Sequence, residues 1–155
     1  MPYQIRWVVP QRVILTTMIG TVTRPELERY IDEIRSEIRK GQKPVYHISN
    51  SLMLDKVELS LKAFQELLKS ISMFNELGMQ VDINNHALNK MLASFAGQFV
   101  KVRTRTVTTP AEAIALLKRT DPTLETVEWS FSEGESESPT LNRPPKFTES
   151  EKPSS

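Results

Sequence analysis

The sequence predicts an α/β fold: a hairpin followed by four strand–helix units, giving a mixed, mainly parallel sheet with helices packed on it. Three observations carry this expectation. Two runs rich in β-branched residues open the chain, separated only by Pro10-Gln11. Short apolar runs then alternate with segments whose apolar residues recur at helical spacing. Two Thr-x-x-Glu capping signals start helices directly after strand-like segments. Strands alternating with helices require crossovers, which make neighbouring strands parallel and leave the first strand as the antiparallel member.

The elements follow in order. Residues 3–9 alternate with Tyr3, Ile5 and Trp7 on one face, and RVILTTMIG after the turn is the second hairpin strand. Thr23-Arg24-Pro25-Glu26 is a capping box, in which Thr23 accepts from the Glu26 amide while Glu26 reaches back. The helix it starts has Leu27, Tyr30, Ile31, Ile34 and Ile38 on one face, and Gly41 ends it. Pro44 to Ser49 is a short strand. Leu61, Phe64, Leu67, Leu68, Ile71 and Phe74 mark a second helix that stops at Gly78. Met79–Asn84 is the next strand, weakened by Asp82 inside it. Leu88, Met91, Leu92, Phe95 and Phe99 define a third helix, and Val102–Thr108 a last strand. Thr109-Pro110-Ala111-Glu112 is a second capping box, with proline at the first helical position of a helix carrying Ala113, Ile114, Leu116 and Leu117.

The composition changes near Ser132. Of the 24 residues from there to Ser155, Ser, Glu and Pro supply 15, and only Leu141 and Phe147 have appreciable apolar surface to bury. That is too little to offset ordering entropy, so 132–155 reads as a disordered tail. Residues 1–122 form the α/β domain. Residues 123–131 are an extension, in which Val127, Trp129 and Phe131 suit either a short strand or a flap held down by Trp129. The net charge of +1 hides an asymmetry, since the tail carries −2 and the body +3.

With no cysteine among 155 residues, disulfides, iron–sulfur clusters, thiolate zinc sites and cysteine nucleophiles are excluded. The near-neutral charge argues against a nucleic-acid binder. No apolar run approaches the ~20 residues of a membrane helix, and the N-terminal residues lack the order of a signal peptide, so a cytoplasmic protein is expected. The five glycines are isolated, so no phosphate-binding loop exists.

Several local strings resemble a known family. Leu92-Ala93-Ser94, Val102-Arg103-Thr104-Arg105 and Thr109-Pro110-Ala111-Glu112-Ala113 look like the closing section of STAS-like small bacterial proteins. The whole element order over residues 3–118 resembles the anti-sigma-factor antagonist (STAS) fold. In partner-switching members, a serine in an Asp-Ser-Ser-Gly-like turn at the start of the second crossover helix is phosphorylated by an anti-sigma kinase. Here that stretch is Ile48-Ser49-Asn50-Ser51-Leu52-Met53-Leu54-Asp55, with serines but neither the preceding aspartate nor the glycine. The resemblance implies a fold, a regulatory protein-binding role and Ser51 as a phosphoacceptor.

In open α/β sheets, partners meet the carboxyl ends of parallel strands. Those ends are Gly20-Thr21, Ser49-Asn50-Ser51, Asn84-Asn85-His86 and Thr108-Thr109, small hydrogen-bonding residues beside helix N-termini. As helix caps and turn formers they would be equally at home there. His47 with Ser49 or Ser51 and Asp55 has the residue types of a hydrolytic triad, but no nucleophile elbow precedes a helix, so His47 reads as a hydrogen-bonded strand histidine. His86 with Asp82 lacks a third metal ligand. Arg103 and Arg105, with Lys90 and Lys101 nearby, suit an acidic partner or the charged edge of a sheet. Leu52-Met53-Leu54 is an apolar loop, read as folding over the core.

The expected function is therefore a non-catalytic protein-interaction module, binding through Ser49, Asn50, Ser51, Asn84, Asn85, His86, Arg103 and Arg105. It needs no cofactor or metal; its partner is a protein, a second copy of the chain being one option. A small-ligand or lipid site lined by Phe95 and Phe99 is the alternative, and a hydrolase a weak third.

Overall fold

A computed structural model of the chain describes residues 2–69, 77–84, 103–130 and 146–147. In order they form β1 (Tyr3–Val9), β2 (Val13–Thr23), α1 (Arg24–Arg39), β3 (Val45–Glu58), α2 (Leu61–Lys69), β4 (Leu77–Ile83), β5 (Thr104–Val107), α3 (Pro110–Thr120) and β6 (Lys146–Phe147). A 3-10 turn, Pro122–Leu124, follows α3. The sheet order is β1-β2-β3-β4-β5, with β6 added to β3. The β1–β2 pair is antiparallel and the other pairs are parallel, as the alternation of strands and helices requires. The expected third helix, residues 88–99, lies outside the described residues.

Each face of the sheet has its own core. On one, α1 lays Leu27, Tyr30, Ile31, Ile34 and Ile38 against Ile14, Met18 and Val45, with Phe64 and Leu67 of α2 beside them. On the other, Ala113 and Leu117 of α3 cover Leu15, Ile48, Val81 and Ile83. The Thr23 capping box forms in both directions. The second box forms by half: Thr109 accepts from the Glu112 amide, but Glu112 returns to the Thr108 amide instead of the cap residue. Trp129 donates to the Leu124 carbonyl and Ser130 N–H to that of Val8, so residues 124–130 strap α3's core shut.

Two glycines serve different ends. Gly20 has φ +66 at an irregularity in the β2–β3 ladder, a backbone conformation that L side chains adopt at a cost. Gly41 is not needed for its backbone angle: a Cβ there would lie 2.5 Å from Val45 Cγ2, 2.9 Å from the Trp7 ring and 3.1 Å from the Gln11 carbonyl. Gly20→Ala, with nothing near its Cβ, is expected to cost about 1 kcal/mol from the backbone alone. Gly41→Ala should cost about 2 kcal/mol through overpacking. Urea titration orders the two; equal stability of the Gly41 variant and the parent would contradict this packing.

The largest departure from sequence expectation is β3. Its strand was expected to end at Ser49 and Leu52–Leu54 to be a loop, yet β3 runs unbroken to Glu58. β2 continues to Thr23 beside it and supplies partners, pairing Ile19 with Met53, Gly20 with Leu54 and Val22 with Val57. β4 stops far earlier, its last pair being Asn50 with Ile83. The β2–β3 ladder therefore projects past the rest of the sheet, an arm of about 25 Å from Asn50 to Glu58 at strand rise.

Candidate functional site

The expected rim of strand ends is only partly assembled. Because β2 and β3 project, Gly20 sits opposite Leu54, well beyond the end of β4, and Gly20-Thr21 do not join the rim. Ser49, Asn50, Ser51 and Asn84 do come together where the β3–β4 ladder ends. Ser49 pairs with Asp82 and Asn50 with Ile83. Ser51 Oγ donates to the Ile83 carbonyl at 3.2 Å, and Asn50 Oδ1 accepts from the Leu52 amide at 3.1 Å. These side chains take over the hydrogen bonds that β4 no longer supplies, which explains why residue types read as turn formers stand inside a strand. Asn84 is 3% exposed; its backbone N–H donates to the Val107 carbonyl, and its Oδ1 has no hydrogen-bond partner among the described residues. Asn85 and His86 lie outside the described residues.

Arg103 and Arg105 stand apart from this rim. β5 is the edge strand of the β1–β5 order; Arg105 pairs with Val81, two residues before the end of β4, and the Arg103 carbonyl accepts from the Gln80 amide at its middle. Both side chains are exposed, with Arg105 donating to the Thr104 carbonyl.

Beneath the rim a buried polar chain crosses three strands. Tyr30 of α1 donates to Thr16 Oγ1 at 3.2 Å. Thr16 Oγ1 lies 2.9 Å from His47 Nε2, and His47 Nδ1 lies 3.4 Å from Gln80 Oε1. Gln80 Nε2 donates to Asp82 Oδ1 at 3.0 Å. One directional assignment satisfies every link: Thr16 donates to Nε2, a neutral His47 carries its proton on Nδ1, and that proton points to Gln80. Burial drives the titrations, pushing His47 down to about 4 and Asp82 up to about 6, while Tyr30 is raised well above its ordinary value. The hydrogen bond to Gln80 opposes burial at both His47 and Asp82.

This geometry disposes of the triad pattern. Both nitrogens of His47 are engaged, by Thr16 and Gln80, and Ser51 is turned to a backbone carbonyl. His47 is a hydrogen-bonded strand histidine. Among the described residues no three or more His, Asp and Glu side chains gather as metal ligands. Phe95 and Phe99, the expected lining of an apolar pocket, lie outside the described residues.

Two features escaped the sequence reading. Thr16, Gln80 and Tyr30 looked like ordinary strand and helix positions, because cross-strand partners have no sequence spacing. Ser60 was missed through the misplaced end of β3. It is the residue that opens α2, its Oγ accepting from the Ala63 amide and its carbonyl from Phe64 N–H. A serine ahead of the Leu61–Phe64–Leu67 stripe was the available signal.

Comparison with known proteins bears on the fold. A crystal structure of an uncharacterized protein of the DUF3478 family, from Shewanella loihica PV-4, superposes with a TM-score of 0.58 and 18% identity. The match covers 74% of this chain and 93% of that one, which is described as having a SpoIIAA-like fold. This chain has a SpoIIAA-like, that is STAS-like, fold. No protein-family profile matches it, and no curated protein does. Among the described residues, no helix of this SpoIIAA-like domain is long and apolar enough to cross a membrane.

Proposed function

We propose that the chain is a non-catalytic protein-interaction module of STAS-like type, working in regulation. The observation that carries this reading is the projecting β2–β3 arm. At that end of the fold Met53 is 42% and Leu61, opening α2, is 38% exposed, the exposed large apolar side chains among the described residues. Exposed apolar side chains on a projecting strand pair suit a protein partner. Among the described residues, Thr16, His47, Gln80 and Asp82 are turned inward to one another. The rim residues Ser49, Asn50, Ser51 and Asn84 flank the arm at its base, and Arg103 and Arg105 offer a separate basic edge to an acidic partner.

Partner switching by phosphorylation is the finer form of this proposal. Ser51 was the expected acceptor, but it lies within β3 with its hydroxyl donated to Ile83. Ser60, which opens α2, takes its place as the proposed acceptor. A phosphate there would face the positive end of α2 and add close to two negative charges beside Leu61.

Affinity capture with the full chain, repeated with Met53→Glu/Leu61→Glu, tests the reading. Binding of the captured protein should fall at least about tenfold, or 1.4 kcal/mol, with an unchanged melting temperature. Undiminished binding would place the contact elsewhere. In a phosphorylation assay with the same lysate, Ser60→Ala should abolish labelling and Ser51→Ala should not.

A further inference from the structure

Among the described residues, the arm leaves β3 with one edge that β4 does not cover. β2 pairs with β3 as far as Glu58 and occupies one side throughout. On the other side β4 ends at the Asn50–Ile83 pair, and beyond it the backbone of β3 continues for eight residues. The first of these are closed by side chains, Ser51 Oγ on the Ile83 carbonyl and Asn50 Oδ1 on the Leu52 amide. Farther out, Lys146 pairs with Lys56 and Phe147 with Val57, in parallel. Since β2 holds the opposite side, this two-residue strand lies on the open edge, in line with β4.

An unpaired edge is a template for any extended segment. The segment found there comes from the Ser/Glu/Pro-rich C-terminal stretch, and its sequence limits how tightly it is held. Pro144 and Pro145 directly precede Lys146 and have no N–H to donate, so the ladder cannot lengthen on that side. Two paired residues at the end of a long connection make a contact that forms and opens readily.

We infer that the edge of β3 beyond Asn50 is a strand-addition site, held in this chain by its own Lys146–Phe147 segment as a displaceable cap. A partner's extended segment gains the edge when the cap leaves, and the cap meanwhile blocks edge-to-edge pairing between copies. The partner half of this inference rests on the interaction reading above; capping in cis does not.

The test is hydrogen exchange on the full chain and on full-length Lys146→Pro/Phe147→Pro. Amides in the Asp55–Glu58 stretch should exchange about tenfold faster in the variant, while those of residues 45–50, paired with β4, stay as protected as before. A synthetic peptide of residues 142–150, added to the variant, should restore the lost protection. Equal protection in the two proteins overturns the cap. Faster exchange that the peptide does not restore overturns the strand-addition site. Loss and restoration of protection in a chain that captures no partner would keep the cap and remove the interaction reading, so the two failures are distinguishable.

Discussion

Replacing Asp82 with Asn is expected to make stability fall by about 3 kcal/mol as pH drops from 6.5 to 4, relative to the parent chain. His47→Gln is expected to do the reverse, gaining a similar amount as pH drops from 6 to 3.8. The signs follow from the two titrations. His47 has its folded pKa depressed from 6.5 to about 4, so its contribution is complete above 6.5 and is lost as pH falls toward 4. Asp82 has its folded pKa raised from 3.8 to about 6, so its contribution is complete below 3.8 and is lost as pH rises through 6. Between these limits the unfolded chain carries a proton on histidine and the folded chain carries one on aspartic acid. Folding moves the proton without changing the number bound, and the pair leaves the parent's stability nearly flat in this window. Each single variant removes one half of the exchange and exposes the other. Urea titrations of the three proteins at pH 4, 5, 6 and 7 measure it; parallel profiles would mean that the Tyr30–Thr16–His47–Gln80–Asp82 chain is not buried as described.

Asp121→Ala should lower stability by about 2 kcal/mol at pH 7, the loss of a partly exposed carboxylate that accepts several hydrogen bonds. This carboxylate sits where α3 ends and collects four hydrogen bonds. Oδ2 accepts from Arg12 Nη2 and from the Tyr46 hydroxyl, each at 2.8 Å. Oδ1 accepts from the Thr123 amide at 3.0 Å and from its hydroxyl at 2.6 Å. It therefore ties the hairpin turn, β3 and the turn after α3 to one point. Alanine would leave the largely buried Tyr46 hydroxyl without its acceptor, which is the costly part. The Thr123 hydrogen bonds chiefly hold the Asp121 pKa below its ordinary value, so this contribution is present above pH 3.8 and disappears as pH falls through the lower folded value. Arg12→Ala, which keeps the Tyr46 and Thr123 bonds, should cost less than half as much. Equal losses in the two variants would assign the whole effect to the ion pair.

Local signals in the sequence carried much of the fold. The Thr23 box and the 27-30-31-34-38 stripe specify α1 because capping and helical periodicity act within a few residues. β3 was misjudged for the opposite reason. Asn50 and Ser51 have strong turn chemistry, and what keeps the strand extended is the long-range ladder from Ile19 to Thr23. That one boundary also displaced the site. It turned Leu52–Leu54 from a loop into a strand, with Leu52 buried and Met53 exposed, and hid Ser60 as the residue that opens α2. Asp82 was read as a blemish in β4, whereas its neighbours Gln80 and His47 make it the end of a buried chain. Asn84, just past the end of β4, does lie beside Ser51 across the parallel pair, but Ser51 stands inside β3 and not at a strand end. Arg103 and Arg105 fell elsewhere because β5 is the edge strand, with β4 between it and the serines of β3.

The central claim is that this SpoIIAA-like domain works by protein contact through the projecting end of β2–β3. The most direct measurement places a photo-crosslinking amino acid at Met53 on the arm and, separately, at Glu28 on the solvent face of α1, in the full-length chain inside its host cell. The account predicts one discrete protein adduct from position 53 and none from position 28. Adducts of equal yield from both positions, or from position 28 alone, would contradict it.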